Sequence, residues 1–423
     1  MAAACDLERL PCSRASIFGT EFRIPAFLHS NDKLLLMKGD VVSYFRYRAI
    51  CIGVLTVSAS AAVHAQSSVT LYGSLDEAAA YFNNTGGHSL VAMQSGDNAS
   101  TYWGLKGKEE LGGGLNAIFT LESSFDITHG SLSNNRIFAH QSTVGLADDA
   151  YGTLTLGRQF DPTVDLIQPI TGDNFAGPVF TTPGDADNND NSVWINNSIK
   201  YASPTYAGFQ YELMYGVGGI AGNATGGHSY GAAAAYNNGG LTLATGYLFS
   251  KNDVNGNGAA DLTQDNSVTP LSGATPMFGS RQIVQVAAQY VIGSLTANIR
   301  YSNAQYKPYT NYGAFNRTET FNVGGAALQY QFNPELSGAL NYVYTHSSGA
   351  SSATYNNFGA NATYSLSKRT SFYADVAYSH ASGTTFSEDG STIVAAGGTV
   401  GDLAASSSTR SQVVAILGIT HKF

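Results

Sequence analysis

Hydrophobic and polar side chains alternate with a period of two along most of the chain after residue 65. Within 115–122, alternate positions carry the apolar residues Leu115, Ala117, Phe119 and Leu121. Two of the positions between them are the polar residues Asn116 and Thr120. The last residues, 413–423, follow the same rule. Because side chains on a strand point alternately to opposite faces, this pattern predicts many strands of about ten residues, each with one apolar face.

The segments that separate these predicted strands alternate between short and long. The short ones lie near 109–114, 147–152, 203–206, 237–240, 292–293, 332–335 and 366–370. The long ones lie near 83–99, 127–135, 161–192, 217–225, 251–279, 307–317, 347–352 and 383–408. Fifteen connections require sixteen strands. Because the number of strands is even, both termini of the barrel lie on the rim with the short turns.

Short turns on one rim and long loops on the other are typical of a barrel that spans an outer membrane. We therefore predict an all-β fold, a 16-stranded antiparallel transmembrane β-barrel. A soluble β-sandwich needs far fewer strands. A solenoid would show a fixed short repeat, which this sequence lacks.

The region 1–65 differs from the rest of the chain. Arg46 and Arg48 precede a weakly apolar stretch, and Val63-His64-Ala65 follows it as a small-x-small cleavage pattern. These features predict a signal peptide at about 37–65. We interpret 1–36 as the result of a translation start assigned too far upstream. The mature chain, 66–423, then contains no cysteine, because Cys5, Cys12 and Cys51 all precede it.

Charge and composition exclude several classes of protein. Only 12% of the residues are charged, and residues 66–423 carry 14 basic against 25 acidic side chains. An acidic chain without a basic tract does not suit nucleic acid. The histidines show no metal-binding spacing and no enzyme motif is present, so we expect no cofactor, no metal and no catalysis. The sequence 253–258 resembles the start of a calcium loop, but Gln264 occupies the place of the bidentate Glu.

Several segments resemble the general diffusion porins of Gram-negative bacteria, most of all their β-proteobacterial branch. The resemblance rests on SVTLYGSLDEAAAYF (68–82), WGLKGKEELGGGLNAIFTLE (103–122), STVGLADDAYGTLTLGRQFD (142–161), NNSIKYASPTYAGFQYELMYG (196–216) and GITHKF (418–423). It implies a homotrimer in outer-membrane lipid and passive diffusion of small hydrophilic solutes and ions. It also implies that the long third loop folds into the pore and narrows it.

In such porins, acidic residues on the third loop face basic residues on the wall. This loop carries six Asp and no Lys or Arg over 161–191. The resemblance makes Asp161, Asp165 and Asp173 the acidic candidates for the constriction, with Arg158 and Lys106 as basic candidates. Arg158 shares a parity with Leu154 and Leu156, so it points inward only if the strand is kinked at Gly157.

Three wall positions that are basic in the family carry other residues here, namely Ser74, Tyr102 and His140. With the acidic loop and the negative net charge, this predicts a mild cation preference. Tyr102 and Trp194 are candidates for an aromatic contact with sugars. The alternatives that remain are a substrate-specific channel, for a sugar or a similar solute, and a barrel adhesin that acts through its long loops.

Overall fold

The computed structural model describes residues 67–252, 258–261, 278–309, 313–387 and 389–423. They belong to one compact unit, His64–Phe423. The predicted leader, 1–65, lies outside the described residues, as does most of the calcium-like sequence. None of the helices in the described part is long and apolar enough to cross a membrane.

Sixteen strands form the wall, and each pairs antiparallel with its neighbours. They are β1 (Ser68–Thr85), β2 (Tyr102–Gly112), β3 (Leu115–Asp126), β4 (Gln141–Asp148), β5 (Gly152–Gln159), β6 (Trp194–Ala202), β7 (Phe209–Gly216), β8 (Ser229–Asn238), β9 (Leu241–Lys251), β10 (Phe278–Ile292), β11 (Leu295–Pro308), β12 (Glu319–Gln331), β13 (Leu336–Ser348), β14 (Ser352–Ser365), β15 (Thr370–Phe386) and β16 (Ser411–Lys422). Four shorter strands, His88–Ser95, Ser131–Leu132, Ala260–Asp261 and Ile393–Ala395, extend the pairing on the loop side.

The barrel closes between its first and last strands. Pairing of β1 with β16 runs from Ser74 opposite Lys422 to Phe82 opposite Val414. The terminal Phe423 continues this pairing, since its N–H donates to the carbonyl of Gly73 at 3.0 Å. A closed ring pairs the backbone groups that an open sheet leaves free at its edges, which a hydrocarbon environment requires. The predicted sixteen-stranded antiparallel barrel is therefore confirmed.

The connections between strands follow the predicted alternation. Seven short turns fall within or beside the predicted short segments, at 113–114, 149–151, 203–208, 239–240, 293–294, 332–335 and 366–369. The connections of the other rim, L1 to L8, are 86–101, 127–140, 160–193, 217–228, 252–277, 309–318, 349–351 and 387–410. L7 is a departure from the expectation, because its two strands continue until only three residues remain between them.

The two faces of each strand differ in what covers them. On β16, Leu417 is 67% exposed on the outer face, as expected for a side chain that meets lipid, whereas Val414 and Ile416 are buried. These inward apolar residues pack with L3 and L8 residues such as Phe180 and Val400. The alternation therefore predicts correctly which side chains of a strand face outward. Part of the inner face is nevertheless apolar, because loops pack against it.

L3 packs against the inner side of the wall. It contains two short helices, α1 (Pro162–Leu166) and α2 (Asp173–Ala176). The amide of Asn341 on β13 donates to the carbonyl of Phe180 at 3.1 Å, and that of Gln285 on β10 donates to the carbonyl of Asp187 at 2.8 Å. The preceding residue on β13, Leu340, is 62% exposed on the outer face. L3 thus contacts the inward positions of these strands.

Candidate pore lining

Two of the three predicted acidic residues hold L3 in place. Asp161 caps α1, accepting hydrogen bonds from the backbone N–H of Thr163 at 2.8 Å and from the amide of Asn188 at 2.9 Å. Its carboxylate therefore joins the beginning of L3 to its end. Asp165 forms an ion pair with Lys200 on β6, and Lys200 also donates to the carbonyl of Phe160 at 3.0 Å.

A third carboxylate anchors the far end of L3. Asp187 is fully buried and accepts from the guanidinium of Arg300 on β11 at 2.6 Å. Arg300 also donates to the hydroxyl of Thr182 at 2.6 Å, and Tyr306 donates to the carbonyl of Ala186 at 2.8 Å. These contacts fix L3 along the wall. Within each ion pair, the carboxylate and the basic side chain neutralise each other's charge.

Two cavities lie beside L3, where it approaches L1. The loop-side cavity has a volume of about 510 Å³ and is lined by L1, L2, the end of β3, the end of L3 and L8. The turn-side cavity has a volume of about 380 Å³ and reaches Lys422 near the other rim. Four residues line both cavities: Gly96, Ser100, Pro178 and Asp190. The two cavities therefore adjoin each other between L1 and L3, with Asp190 in the lining of both, and we call this junction the passage.

Acidic side chains outnumber Lys and Arg in the described lining of both cavities. The loop-side cavity is lined by Asp97, Asp126, Asp190 and Asp402, with no Lys or Arg among the described lining residues. The turn-side cavity is lined by Asp173 and Asp190, with Lys422 as the basic residue of its described lining. Of the predicted acidic candidates, Asp173 thus lines a cavity, while Asp161 and Asp165 are engaged in anchoring L3.

Burial weakens the ionisation of several of these carboxyls. Burial, together with the nearby carboxylates of Asp76 and Asp375, raises the pKa of Asp97 to about 7. Burial also raises the pKa of Asp190 well above its usual range, and the negative charges of Asp173 and Asp402 act in the same direction. The negative charge of the lining therefore grows as pH rises.

L3 and L8 meet at one of these acidic residues, Asp402, and through their backbones. The Ser192 hydroxyl donates to Asp402 of L8 at 3.1 Å, and the Asp190 N–H donates to Asp185 at 2.9 Å. The Gly184 N–H donates to the carbonyl of Gly401 at 2.6 Å. L8 therefore covers the end of L3 and contributes Asp402 to the lining.

The predicted residues Tyr102, His140 and Arg158 come together around Trp194 on the wall. The rings of His140 and Trp194 stack with 5.6 Å between their centroids and 19° between their planes. Tyr102 lies on the other side of His140, with a centroid distance of 5.6 Å. The guanidinium of Arg158 lies 5.2 Å from the centre of the Trp194 ring.

Arg158 points inward because its strand is kinked at Gly157, as predicted from the sequence. Gly157 has a φ of +134°, and the pairing of β5 with β6 shifts register between Gly157 and Gln159. Arg158 then donates to the carbonyl of Ala139 at 2.5 Å and to the side chain of Asn196 at 2.8 Å. Arg158 is therefore buried in the wall cluster, where protein atoms receive its hydrogen bonds.

Lys106 and Ser74 lie elsewhere on the wall. The Lys106 ammonium is 4.8 Å from the centre of the Tyr72 ring, and its side chain is exposed. Ser74 is buried where β1 pairs with both β2 and β16. Neither residue lines the two cavities beside L3.

Sequence reasoning did not select Asp97, Asp190 and Asp402 as site residues. Asp190 belongs to the acidic third loop, but the three predicted candidates, Asp161, Asp165 and Asp173, all lie in the first half of that loop. Asp97 and Asp402 lie in L1 and L8, hundreds of residues apart in the chain, and only the tertiary structure brings them to one cavity. The described residues contain no group of His, Cys, Asp and Glu that is arranged to hold a metal ion.

A comparison with protein families assigns the chain. The family described as Gram-negative porin matches residues 52–384. The chain belongs to the Gram-negative porin family. This membership, with the closed barrel, places the protein in the outer membrane of a Gram-negative bacterium.

Individual relatives of this porin are outer-membrane proteins of β-proteobacteria. An outer membrane porin protein of Bordetella pertussis is 35% identical over 36% of this chain and 44% of its own length. Outer membrane porin protein 32 of Delftia acidovorans is 33% identical over 54% of this chain and 65% of its own length. These alignments thus span less than two thirds of either relative.

A solved porin structure has the same fold. The anion-selective porin from Comamonas acidovorans superposes with a TM-score of 0.65, covering 85% of this chain and all of that one, at 24% identity. This similarity supports the barrel architecture.

Proposed function

We propose that this porin is a water-filled pore for the passive diffusion of small hydrophilic solutes and ions, with a mild preference for cations. One observation carries the ion preference. Around the passage between L1 and L3, the described lining contains Asp97, Asp173, Asp190 and Asp402 but Lys422 alone as a Lys or Arg. Charges that line a narrow passage set which ions enter it.

Three basic residues of the wall, Lys200, Arg300 and Arg158, contribute little to oppose this charge. Lys200 is paired with Asp165 and Arg300 with Asp187, so each pair is locally neutral. Arg158 donates hydrogen bonds to Ala139 of L2 and Asn196 of β6 and lies against the Trp194 ring. The acidic side chains therefore supply most of the charge in the described lining of the passage, and this charge grows as they ionise.

The solved Comamonas porin is described as anion-selective, which is the opposite preference. At 24% identity the likeness shows a shared fold and does not specify the side chains at the passage. Selectivity depends on those side chains and not on the barrel. We therefore argue the preference of this porin from its own lining.

Reversal potentials test the proposal. The protein, refolded in detergent and inserted into planar bilayers, is placed under a KCl gradient. Discrete conductance steps with a potential that favours K⁺ are expected. Steps with an anion-favouring potential would overturn the cation preference but leave the pore. A membrane without steps would overturn the pore itself and favour the adhesin alternative.

Liposome swelling separates general from specific diffusion. A general pore admits neutral sugars at rates that fall smoothly with their size, which is the expected result. Swelling with one solute alone would instead identify a substrate-specific channel.

We further propose that the mature chain begins after Ala65 and assembles as a homotrimer in outer-membrane lipid. Both statements rest on the leader pattern and on the family. Mass spectrometry of the protein purified from outer membranes tests the first, because a mature N-terminus at Gln66 is expected. Light scattering in detergent tests the second, and a monomer mass would contradict it.

A further inference from the structure

The loop-side cavity contains buried polar atoms that lack hydrogen-bond partners. Within the described part of the chain these are Gln94 Oε1, Asp97 Oδ2, Asn191 Oδ1 and Trp194 Nε1. Asp97 is 4% exposed and Trp194 is 5% exposed. Buried donors and acceptors in proteins are nearly always paired, and exceptions need a reason. A solute that supplies the missing partners is such a reason.

The balance of these atoms describes the solute. Three are acceptors, and Asp97 stands with Asp190 and Asp402 in a lining without Lys or Arg among its described residues. An ammonium group brings positive charge and three N–H donors, so it suits both the charge and the acceptors. A carboxylate would meet like charges and is disfavoured.

The indole N–H of Trp194 lacks a hydrogen-bond acceptor, so the same solute should also carry an acceptor. His140 stacks on the indole at 5.6 Å, and the Arg158 guanidinium lies 5.2 Å from its centre. With these groups against the ring, the unpartnered N–H is the group through which Trp194, a lining residue, would contact a solute. A hydroxyl oxygen accepts from this N–H, and the same hydroxyl also donates to an amide or carboxylate oxygen.

We propose that the loop-side cavity is a binding subsite for hydroxylated primary amines of the amino-sugar class. Its volume of about 510 Å³ lies within the range of small-molecule pockets, about 300–1,000 Å³. The subsite rests on the proposed pore function, since it lies beside the passage between L1 and L3. It extends that function from ions in general to one class of organic solute.

Current block by four probes tests the subsite in the full protein. Glucosamine carries both the ammonium and the hydroxyls. Glucose and N-acetylglucosamine carry hydroxyls without the charge, and butylammonium carries the charge without hydroxyls. In planar bilayers at pH 7.5, glucosamine is expected to interrupt the KCl current at a concentration about 10-fold lower than any other probe, a difference of about 1.4 kcal/mol.

Two substitutions separate the two contacts. Asp97→Asn removes the charge and should weaken block by both amines about 5- to 10-fold, as expected for a lost charged hydrogen bond. Trp194→Phe keeps an aromatic ring against His140 and removes Nε1–H, so it should weaken block by glucosamine about 3-fold and leave butylammonium unchanged. Asp149→Asn, on an exposed turn between β4 and β5, is the matched control and should change neither.

The outcomes distinguish the subsite from the pore. Equal block by glucosamine and glucose, or by glucosamine and butylammonium, would overturn the subsite while the conductance steps persist. Block that is unchanged in both Asp97→Asn and Trp194→Phe would also overturn it. Absence of KCl steps in the unmodified protein would instead be a failure of the proposed pore.

Discussion

Aspartates have opposite roles on the two sides of L3, the anchored side that contacts the wall and the cavity side that meets L1 and L8. On the anchored side, Asp165 and Asp187 pair with Lys200 and Arg300 of the wall. On the cavity side, Asp97, Asp190 and Asp402 line a space whose described residues include no Lys or Arg. The comparison shows that the number of aspartates in a pore loop does not set its charge. The partner of each carboxylate decides whether it holds the loop or faces the passage.

Removing Arg300 should have the largest effect on the anchored side. Arg300→Met leaves the fully buried Asp187 without its cation, and breaking a buried ion pair from one side costs about 3–5 kcal/mol. The end of L3 should then detach, lowering the unfolding temperature and increasing current noise. Heat-induced unfolding followed by circular dichroism, together with single-channel recordings, measures both effects.

The double variant Arg300→Met with Asp187→Leu is the control for this pair. It removes both charges, so it should recover most of the lost stability. If Arg300→Met alone were as stable as the unmodified protein, the pair would not be the anchor that its geometry indicates.

The bulge at Gly157 should be the next most sensitive point. Gly157→Ala forces a side chain into a backbone with φ +134°, where its Cβ would approach the carbonyl oxygen of Ser142 to 2.0 Å. We expect a loss of roughly 1–3 kcal/mol in unfolding free energy and a regular strand that turns Arg158 away from Trp194. Urea titration in detergent measures the stability, and Trp fluorescence in a Trp103→Phe background reports the environment of Trp194.

Gly145→Ala does not serve as the comparison, because its Cβ would also meet a backbone oxygen closely. Gly324→Ala is better matched, since nothing lies within 4 Å of its Cβ. A similar loss in both variants would show that the effect is general to glycines of the wall and not specific to the bulge.

On the cavity side, pH should change the selectivity. With a pKa of about 7, Asp97 is about one tenth ionised at pH 6 and about nine tenths at pH 8. Cation preference should therefore rise across this interval. Reversal potentials measured at pH 6, 7 and 8 under a fixed KCl gradient test this.

Asp97→Asn supplies the control, because it should remove most of the change between pH 6 and pH 8. A preference that falls as pH rises would contradict the assignment. The sign for stability is the reverse. Since burial raises the pKa of Asp97 and Asp190, their protonated forms favour the folded contacts, and this contribution is lost as pH rises through the raised pKa values.

The sequence predicted the wall much better than the site. Period-two alternation is local, so residues such as Leu417 reveal the outer face of a strand without knowledge of its neighbours. The sequence also predicted the kink at Gly157, because without it Arg158 would lie on the apolar, outward face of its strand. Strand number, closure and the third loop follow from such local signals and from the family resemblance.

The roles of individual carboxylates could not be read in the same way. Asp161 and Asp190 look alike in an acidic loop, yet one caps α1 and the other stands beside the passage. The difference depends on partners such as Asn188 and on L1 and L8, which approach L3 through the closed barrel. Contacts between loops that are distant in sequence leave no periodic pattern.

Asp165→Asn should have the smallest effect, and it sharpens the comparison for that reason. Asp165 and Lys200 are partly exposed, and such pairs contribute about 0–1 kcal/mol to stability. The Lys200 ammonium retains the carbonyl of Phe160 at 3.0 Å and the carboxylate of Glu212 at 3.9 Å, so its position should persist. The reversal potential should move slightly toward anions, and less than in Asp97→Asn at pH 8. If Asp165→Asn changed the selectivity more than Asp97→Asn, the anchored side and not the cavity side would govern ion passage, and the proposed division of L3 would be wrong.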